Sequence, residues 1–338
     1  MALFDSINQL NAERRRTNRR RFLVGGIAAI FTYFSFRWWR FRARAIANRA
    51  TKFITPNPEF YAVSIDEGFR PNVKQDEWQL EIAGATSFTL SYDELVKLPS
   101  SDVHKTFLCV GNEAGGPAMG NAVWTATALA PILEKALGAS SRENLRVVFH
   151  ALDGFYSSVP LELALSSLSW LAYKMNGEAL PVKHGFPARV LLPGIYGMKQ
   201  PRWLSKIEIT KSPWFKGYWE TRGYCDECNI KMTTRIDSAR QQKDGTWLVT
   251  GVAVCGVQPV GQVEVSFDDG KSWQEATITS EKLSDAWATW EVSWKPENKG
   301  EYVLLARVID VLGNQQIESN SSSFPSGSTG LHRAIVNV

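Results

Sequence analysis

The sequence predicts an α+β fold in two units, on three observations. The 338 residues exceed what one small domain needs. Between residues 51 and 228, strand-like and helix-like apolar patterns intermix without a regular βαβ period, which argues against a doubly wound sheet. From residue 229 the texture becomes short alternating strands parted by turns such as Asp269-Gly270 and Leu312-Gly313-Asn314. That spacing suits an immunoglobulin-like β-sandwich over 229–320. The polar, Gly/Ser-rich remainder, 321–338, reads as an extended tail.

Composition narrows the class further. At 44% hydrophobic and 12% aromatic residues, the chain can pack cores and is not globally disordered. Its net charge of +4 belongs to residues 1–50, which hold eleven arginines against Asp5 and Glu13. The rest is net acidic and shows no nucleic-acid footprint.

Residues 1–50 read as a leader. Arg19, Arg20, Phe22 and Leu23 fit the R-R-x-F-L pattern of twin-arginine export. The apolar run 22–36 is shorter than the roughly 20 residues that span a bilayer. Ala45-Ile46-Ala47 offers a small-residue cleavage site. The alternative is an uncleaved anchor with Trp38, Trp39 and the arginines in the headgroup layer. Either way the expected address is the periplasm or the periplasmic face of a membrane.

Beyond the leader, 51–73 is rich in proline and aromatics and reads as extended. Strands are expected at 78–82 and 88–90, a helix at 92–98, and an apolar strand running into Gly111-Asn112. A Gly-rich loop then leads to helical spacing over 125–137. A strand at 145–151 is followed by a turn and a helix capped near Ser157 or Ser158.

The organising stretch is 184–204. His184 opens a Gly-Pro turn, Arg189 heads an apolar strand to residue 192, and a Gly-flanked basic loop carries Lys199 and Arg202 into the strand 207–209. Strand ends that deliver His, Arg and Lys beside Gly-opened backbone suit an anionic, phosphate-like group. A buried strand with a solvated basic turn would read the same way. Cys109 ends its strand before Gly111-Asn112, and is either inert core or a thiolate presented to a soft transition metal.

Cys109-Val110-Gly111-Asn112, then Asn121, Ala122 and Trp124, then LAYKMNGEALPVKHGFPAR and VEVSFDDGKSW, occur in one order over most of 51–320. Together they resemble the sulfite oxidase family of molybdenum enzymes. The resemblance implies a mixed molybdopterin-binding catalytic domain at 51–228, a dimerisation-type sandwich at 229–320, and a molybdenum–molybdopterin cofactor. It implies Cys109 as metal ligand, and His184 and Arg189 as holders of the pterin phosphate arm. Lys199, Arg202 and the backbone at Gln200 would form the basic loop closing on that arm. Tyr61 and Asp153 would be further pterin contacts. Tyr173 matches the tyrosine facing the metal centre, where a phenol orients substrate and relays a proton.

Departures from the family bear on the substrate. Sulfite oxidases grip a dianion with three arginines, and here Val63, Ala114 (after Glu113) and Gln258 stand in those places. Each lost charged contact costs on the order of 1.5–3 kcal/mol. The expectation is therefore oxygen-atom transfer on a neutral or weakly charged small substrate such as a sulfoxide or N-oxide. Electrons would be exchanged with a separate carrier, a c-type cytochrome or membrane quinol protein, because no haem motif is present. The rival readings are a sulfite dehydrogenase with Arg70, Lys199 or Arg222 as replacement cations, and a membrane-tethered binding module without catalysis. Cys225-Asp-Glu-Cys228, in the hinge between units, reads as a disulfide or as idle thiols.

Overall fold

A computed structural model of the chain describes residues 44–338. The twin-arginine motif, the apolar run 22–36 and Trp38-Trp39 lie outside the described residues. Among the described residues no helix is long and apolar enough to cross a membrane. The first unit, which strand β1 (Arg44–Ala45) precedes, holds β2 (Gln79–Ala83), β3 (Phe88–Ser91), β4 (Ser100–Leu108), β5 (Met119–Ala128) and β6 (Arg146–Ala151). It continues with β7 (Tyr156–Pro160), β8 (Trp170–Met175), β9 (Glu178–Ala179), β10 (Arg189–Leu191) and β11 (Leu204–Thr210). Its helices are short: α1 (Tyr92–Lys97), α2 (Leu129–Leu137) and α3 (Leu161–Ala164).

Local chemistry explains each helix. Ser91 and Glu94 close a reciprocal capping box on α1. In α2, Leu129, Ile132, Leu133, Ala136 and Leu137 form one buried stripe, and Gly138 ends it at φ 56°. The helical spacing expected from residue 125 starts later, because 119–128 pairs as β5 with β4 on one side and β8 on the other. Likewise Ser157 and Ser158 lie in β7, paired to β6, and the helix waits until Leu161. The molecule is therefore mostly sheet with few helices, more so than the α+β expectation.

Two five-stranded sheets build this unit, β3-β2-β11-β6-β7 and β10-β8-β5-β4, with β9 on the edge of β8. Leu80, Ile82, Phe149 and Ile207 from the first sheet meet Leu171, Tyr173 and Val190 from the second around α2. β10 and β11 lie in different sheets, so the loop between them crosses from one to the other.

The second unit differs from the expected immunoglobulin-like sandwich. Strands β12 (Thr233–Gln241), β13 (Trp247–Val254), β14 (Val260–Ser266), β15 (Gln274–Ile278), β16 (Ala288–Trp294), β17 (Glu301–Asp310) and β18 (His332–Asn337) join β1 in one sheet. β15 pairs with both β14 and β16, so the two faces are continuous and curl into a barrel-like form. Thr234 Oγ1 on β12 donates to the Ala306 carbonyl on β17 at 2.7 Å, drawing the sheet's far parts together.

The expected tail is also corrected. Residues 332–337 form a strand against β17, burying His332, Ala334 and Val336 alternately. This alternation is too short to stand out after the Ser/Gly-rich run that precedes it. β1 extends the same sheet in parallel with β18, and Ile46 packs on its core. Of the Ala45-Ile46-Ala47 segment, Ala45 thus pairs in the C-terminal sheet and Ile46 packs beneath it.

A buried ion pair holds the two units together. Lys105 Nζ lies 2.5 Å from Asp285 Oδ2, with both residues almost fully buried. Burial pushes the lysine down and the carboxyl up, and their mutual attraction opposes both shifts. The Gly194 N–H donates to Asp285 Oδ1 at 3.0 Å, which ties the junction to the 184–204 stretch. Removing one partner leaves an uncompensated buried charge, so Asp285→Ala is expected to lose about 3–5 kcal/mol. Denaturant unfolding should show that loss, and a smaller one for Lys105→Met/Asp285→Leu.

Candidate active site

Cys109 follows the last residue of β4. Its N–H donates to the Ala118 carbonyl and its carbonyl accepts from Asn112 N–H, both at 3.0 Å. Asn112 Oδ1 accepts from Ala118 N–H at 2.8 Å. A Cβ on Gly116 would lie 2.4 Å from that oxygen, so glycine is required for the loop to fold back. Burial raises the Cys109 thiol, and the Gly111 N–H directed at its sulfur opposes the rise.

Arg189, the first residue of β10, is buried with its guanidinium 4.1 Å from the Phe107 ring and 5.0 Å from Trp124. It donates to the carbonyls of His184 at 3.0 Å and Gln200 at 3.5 Å, while its buried Nε has no partner. Arg202 donates to the carbonyls of Lys183 at 2.6 Å and Val63 at 2.9 Å. Among the described residues no carboxylate forms an ion pair with either arginine. Burial, and then repulsion from Arg202, lower Arg189. Two adjacent guanidiniums that bond only neutral carbonyls call for a polyanion.

The same wall carries the other expected residues. His184 Nε2 lies 2.8 Å from the Asn57 carbonyl. A carbonyl only accepts, so that nitrogen bears the proton. Burial first, then nearby cations, hold this histidine down at about 4. The Tyr61 phenol is raised by burial, and Gly197 makes room for its hydroxyl, since a Cβ there would sit 2.9 Å away. Burial also raises Asp153, whose Oδ1 accepts from Phe155 N–H at 3.0 Å. Gln200 lines the wall, but its amide is spent on Leu192 N–H and the Ile195 carbonyl.

A single open-mouthed cavity of about 200 Å³ joins these groups. Tyr61, Cys109, Asp153, His184, Arg189, Gln200 and Arg202 all line it. Ser64, also on its wall, supplies a second buried polar side-chain atom without a partner, its Oγ. Orphaned Arg189 Nε and Ser64 Oγ beside a cationic cluster fit a phosphorylated organic ligand. At the other side Cys109 offers one sulfur. Among the described residues no group of three or more His, Cys, Asp or Glu stands ready to hold a metal. A metal held by Cys109 would need further ligands from the organic group.

Two expected residues are placed elsewhere. Lys199 is almost fully buried and turns away from the cavity, ion-paired with Glu220 and lying 3.4 Å from Asp226 Oδ1. The adjoining carboxylates attract its ammonium, so it is not part of the basic rim. Tyr173 is buried in the first unit's core, with its ring 6.5 Å from that of Tyr92. Its position in β8 points it between the sheets, and it does not line the cavity. Besides Tyr61, the phenol that does is Tyr224, beside Trp219. The aromatic run from Trp214 to Tyr224 was the available signal, but it reads as a hinge because no strand or helix pattern organises it.

Comparison with known proteins agrees with this geometry. Residues 67–219 match the oxidoreductase molybdopterin binding domain. Over those residues the chain carries that domain, and in sequence it is similar to sulfite oxidases. The domain match implies the molybdenum–molybdopterin cofactor that the cavity's orphaned donors and lone sulfur fit. The mitochondrial sulfite oxidase of Rattus norvegicus is 29% identical over 314 residues, covering 78% of this chain and 57% of that protein. An NADH nitrate reductase of Lotus japonicus is 27% identical, covering 78% of this chain and 35% of that one. The crystal structure of the sulfane dehydrogenase SoxCD from Paracoccus pantotrophus superposes with a TM-score of 0.73 at 20% identity, covering 86% and 85% of the two chains. That likeness establishes the shared fold.

The lowered His184 has a consequence that can be tested without cofactor. Folded, it titrates at about 4, against 6.5 ordinarily, so in that window the unfolded chain binds more protons. Stability is full above about pH 6.5 and falls as pH drops toward 4. Thermal unfolding of the cofactor-free protein between pH 7 and 5 should show that loss, reduced in His184→Gln. Arg189→Ala is expected to leave the purified protein depleted of molybdenum and pterin, measured by elemental analysis and fluorescence of the released pterin.

Proposed function

We propose that this chain is a molybdenum-cofactor enzyme performing oxygen-atom transfer on a small, neutral or weakly charged substrate. The observation that carries the reading is the cavity itself, with the Cys109 sulfur and the Arg189–Arg202–His184 cluster on one continuous wall. Bound molybdopterin supplies two-electron oxygen-atom transfer. The chain's own residues do the rest. Arg189, Arg202 and Ser64 hold the cofactor's anionic arm, and Cys109 fixes the metal through its thiolate. Tyr224 offers an O–H to an oxygen of the substrate.

The polarity of the cavity supports an uncharged substrate. Its lysine and arginine lining consists of Arg189 and Arg202, both assigned to the cofactor. Val63 lines the wall as an apolar residue, and the exposed Glu113 carboxylate follows the Cys109 turn. The candidate replacement cations are engaged elsewhere. Lys199 pairs with Glu220, Arg222 lies 3.5 Å over the Tyr218 ring, and Arg70 donates to the Glu67 and Phe69 carbonyls.

Electron exchange with a separate carrier belongs to the same proposal, as do self-association and a periplasmic address. Exposed Val311, Leu312 and Ile317 on the second unit support self-association. The R-R-x-F-L pattern of the leader supports the address.

The decisive experiment sets sulfoxide and N-oxide reduction against sulfite oxidation, using the full chain made in a molybdopterin-competent host. Fast sulfite turnover would sink the uncharged-substrate reading. Cys109→Ser should lower turnover by more than the roughly 10–100-fold that losing a supporting residue costs a metal site. Tyr224→Phe should lower kcat by about 10² or more if its proton is transferred, whereas Tyr173→Phe should leave kcat within a few fold.

A further inference from the structure

Cys225 and Cys228 form a disulfide that closes a four-residue loop directly after Tyr224. We propose that this disulfide is a thiol–disulfide exchange site, addressed by a partner dithiol protein, whose state sets the cavity wall at Tyr224. The inference rests on reading the cavity as the substrate site.

The loop's placement carries the argument. Cys225 is half-buried, while Cys228 is almost fully buried, so an incoming thiolate meets one sulfur and not the other. Cys228 Sγ lies 3.7 Å from Sδ of Met198, itself a cavity residue. Cys228 also sits at φ 36°, a left-handed conformation that non-glycine residues seldom adopt. Between the cysteines, Asp226 accepts from Arg146 at 3.0 and 2.6 Å and faces Lys199 at 3.4 Å. On the other side, Tyr224 packs edge-on to Trp219 at 5.3 Å and Phe324 at 5.1 Å. A disulfide spanning so short a loop removes little chain entropy. Its main structural effect is to hold one backbone shape beside the cavity.

The exchange balances with the partner supplying two electrons and two protons. A partner thiolate attacks Cys225 Sγ, the Cys225–Cys228 bond breaks, and Cys228 leaves as a thiolate that takes up a proton. The partner's second thiol then attacks the mixed disulfide. This releases Cys225 as a thiol and leaves the partner oxidised. With the bond open, Cys228 can relax from its left-handed conformation and Tyr224 loses its fixed anchor.

The test uses the folded full chain and dithiothreitol as the probe dithiol. Samples are alkylated and resolved by peptide mass, and amide exchange is followed across 220–229. Reduction is expected to label Cys225 and Cys228 while buried Cys255 stays unlabelled, and to speed exchange across 220–229 at least tenfold with β6 unchanged. In the cofactor-loaded protein, Cys225→Ser/Cys228→Ser is expected to raise KM at least threefold. The proposal is overturned if the pair is labelled only together with Cys255. Unchanged exchange, or unchanged KM, overturns it equally. Labelling and exchange need no cofactor. If both respond while the loaded protein is inert to every substrate tried, the oxygen-transfer reading fails and the exchange site stands.

Discussion

Arg189 is a charge buried without a counter-ion, clamped between Phe107 and Trp124. A lone guanidinium in such a place is costly unless something negative joins it. Arg202 alongside makes the cost larger, and the carbonyls of His184 and Gln200 offset only part of it. The protein by itself is therefore electrostatically incomplete at this point, and an anionic group bound there would complete it. Much of the cavity serves that one requirement. The neutral His184, the Gly197 opening beside Tyr61 and the unpartnered Ser64 hydroxyl all face the place where the anion belongs.

The lysine that completes the basic pattern in sequence serves another purpose. Lys199 is drawn to Glu220 and Asp226, joining the loop of the organising stretch to the segment that carries Trp219, Tyr224 and the disulfide. Arg146 grips Asp226 from β6. Charge that could have faced the cavity is used instead to position the segment that carries Trp219 and Tyr224. This part of the cavity consequently carries phenol and aromatic groups and no cation.

How much was legible depended on how local the signal was. Cys109 before Gly111-Asn112, and His184 to Arg189 across a Gly-Pro turn, are short patterns whose backbone demands go with their chemistry. Each lands on the cavity as expected. Tyr173 misled because a tyrosine in an apolar strand looks the same whether it faces a ligand or a core. The face it presents depends on pairing to β5 and β10, partners distant in the chain. Tyr224 was obscured for the converse reason. It sits in an irregular aromatic segment whose course is set by contacts with Phe324 and Asp226's cationic partners.

The sequence by itself determined the cofactor class, the thiol, arginines and histidine that line one cavity, and the change in texture at residue 229. These follow from residue chemistry at short spacing and from alternation along single strands. Tertiary structure alone decided that the C-terminal strands form one curled sheet, that 332–337 completes it, and that Tyr224 rather than Tyr173 faces the cavity. Those outcomes rest on which distant strands pair and which carboxylates capture Lys199, and such long-range competition leaves no periodic trace in the chain.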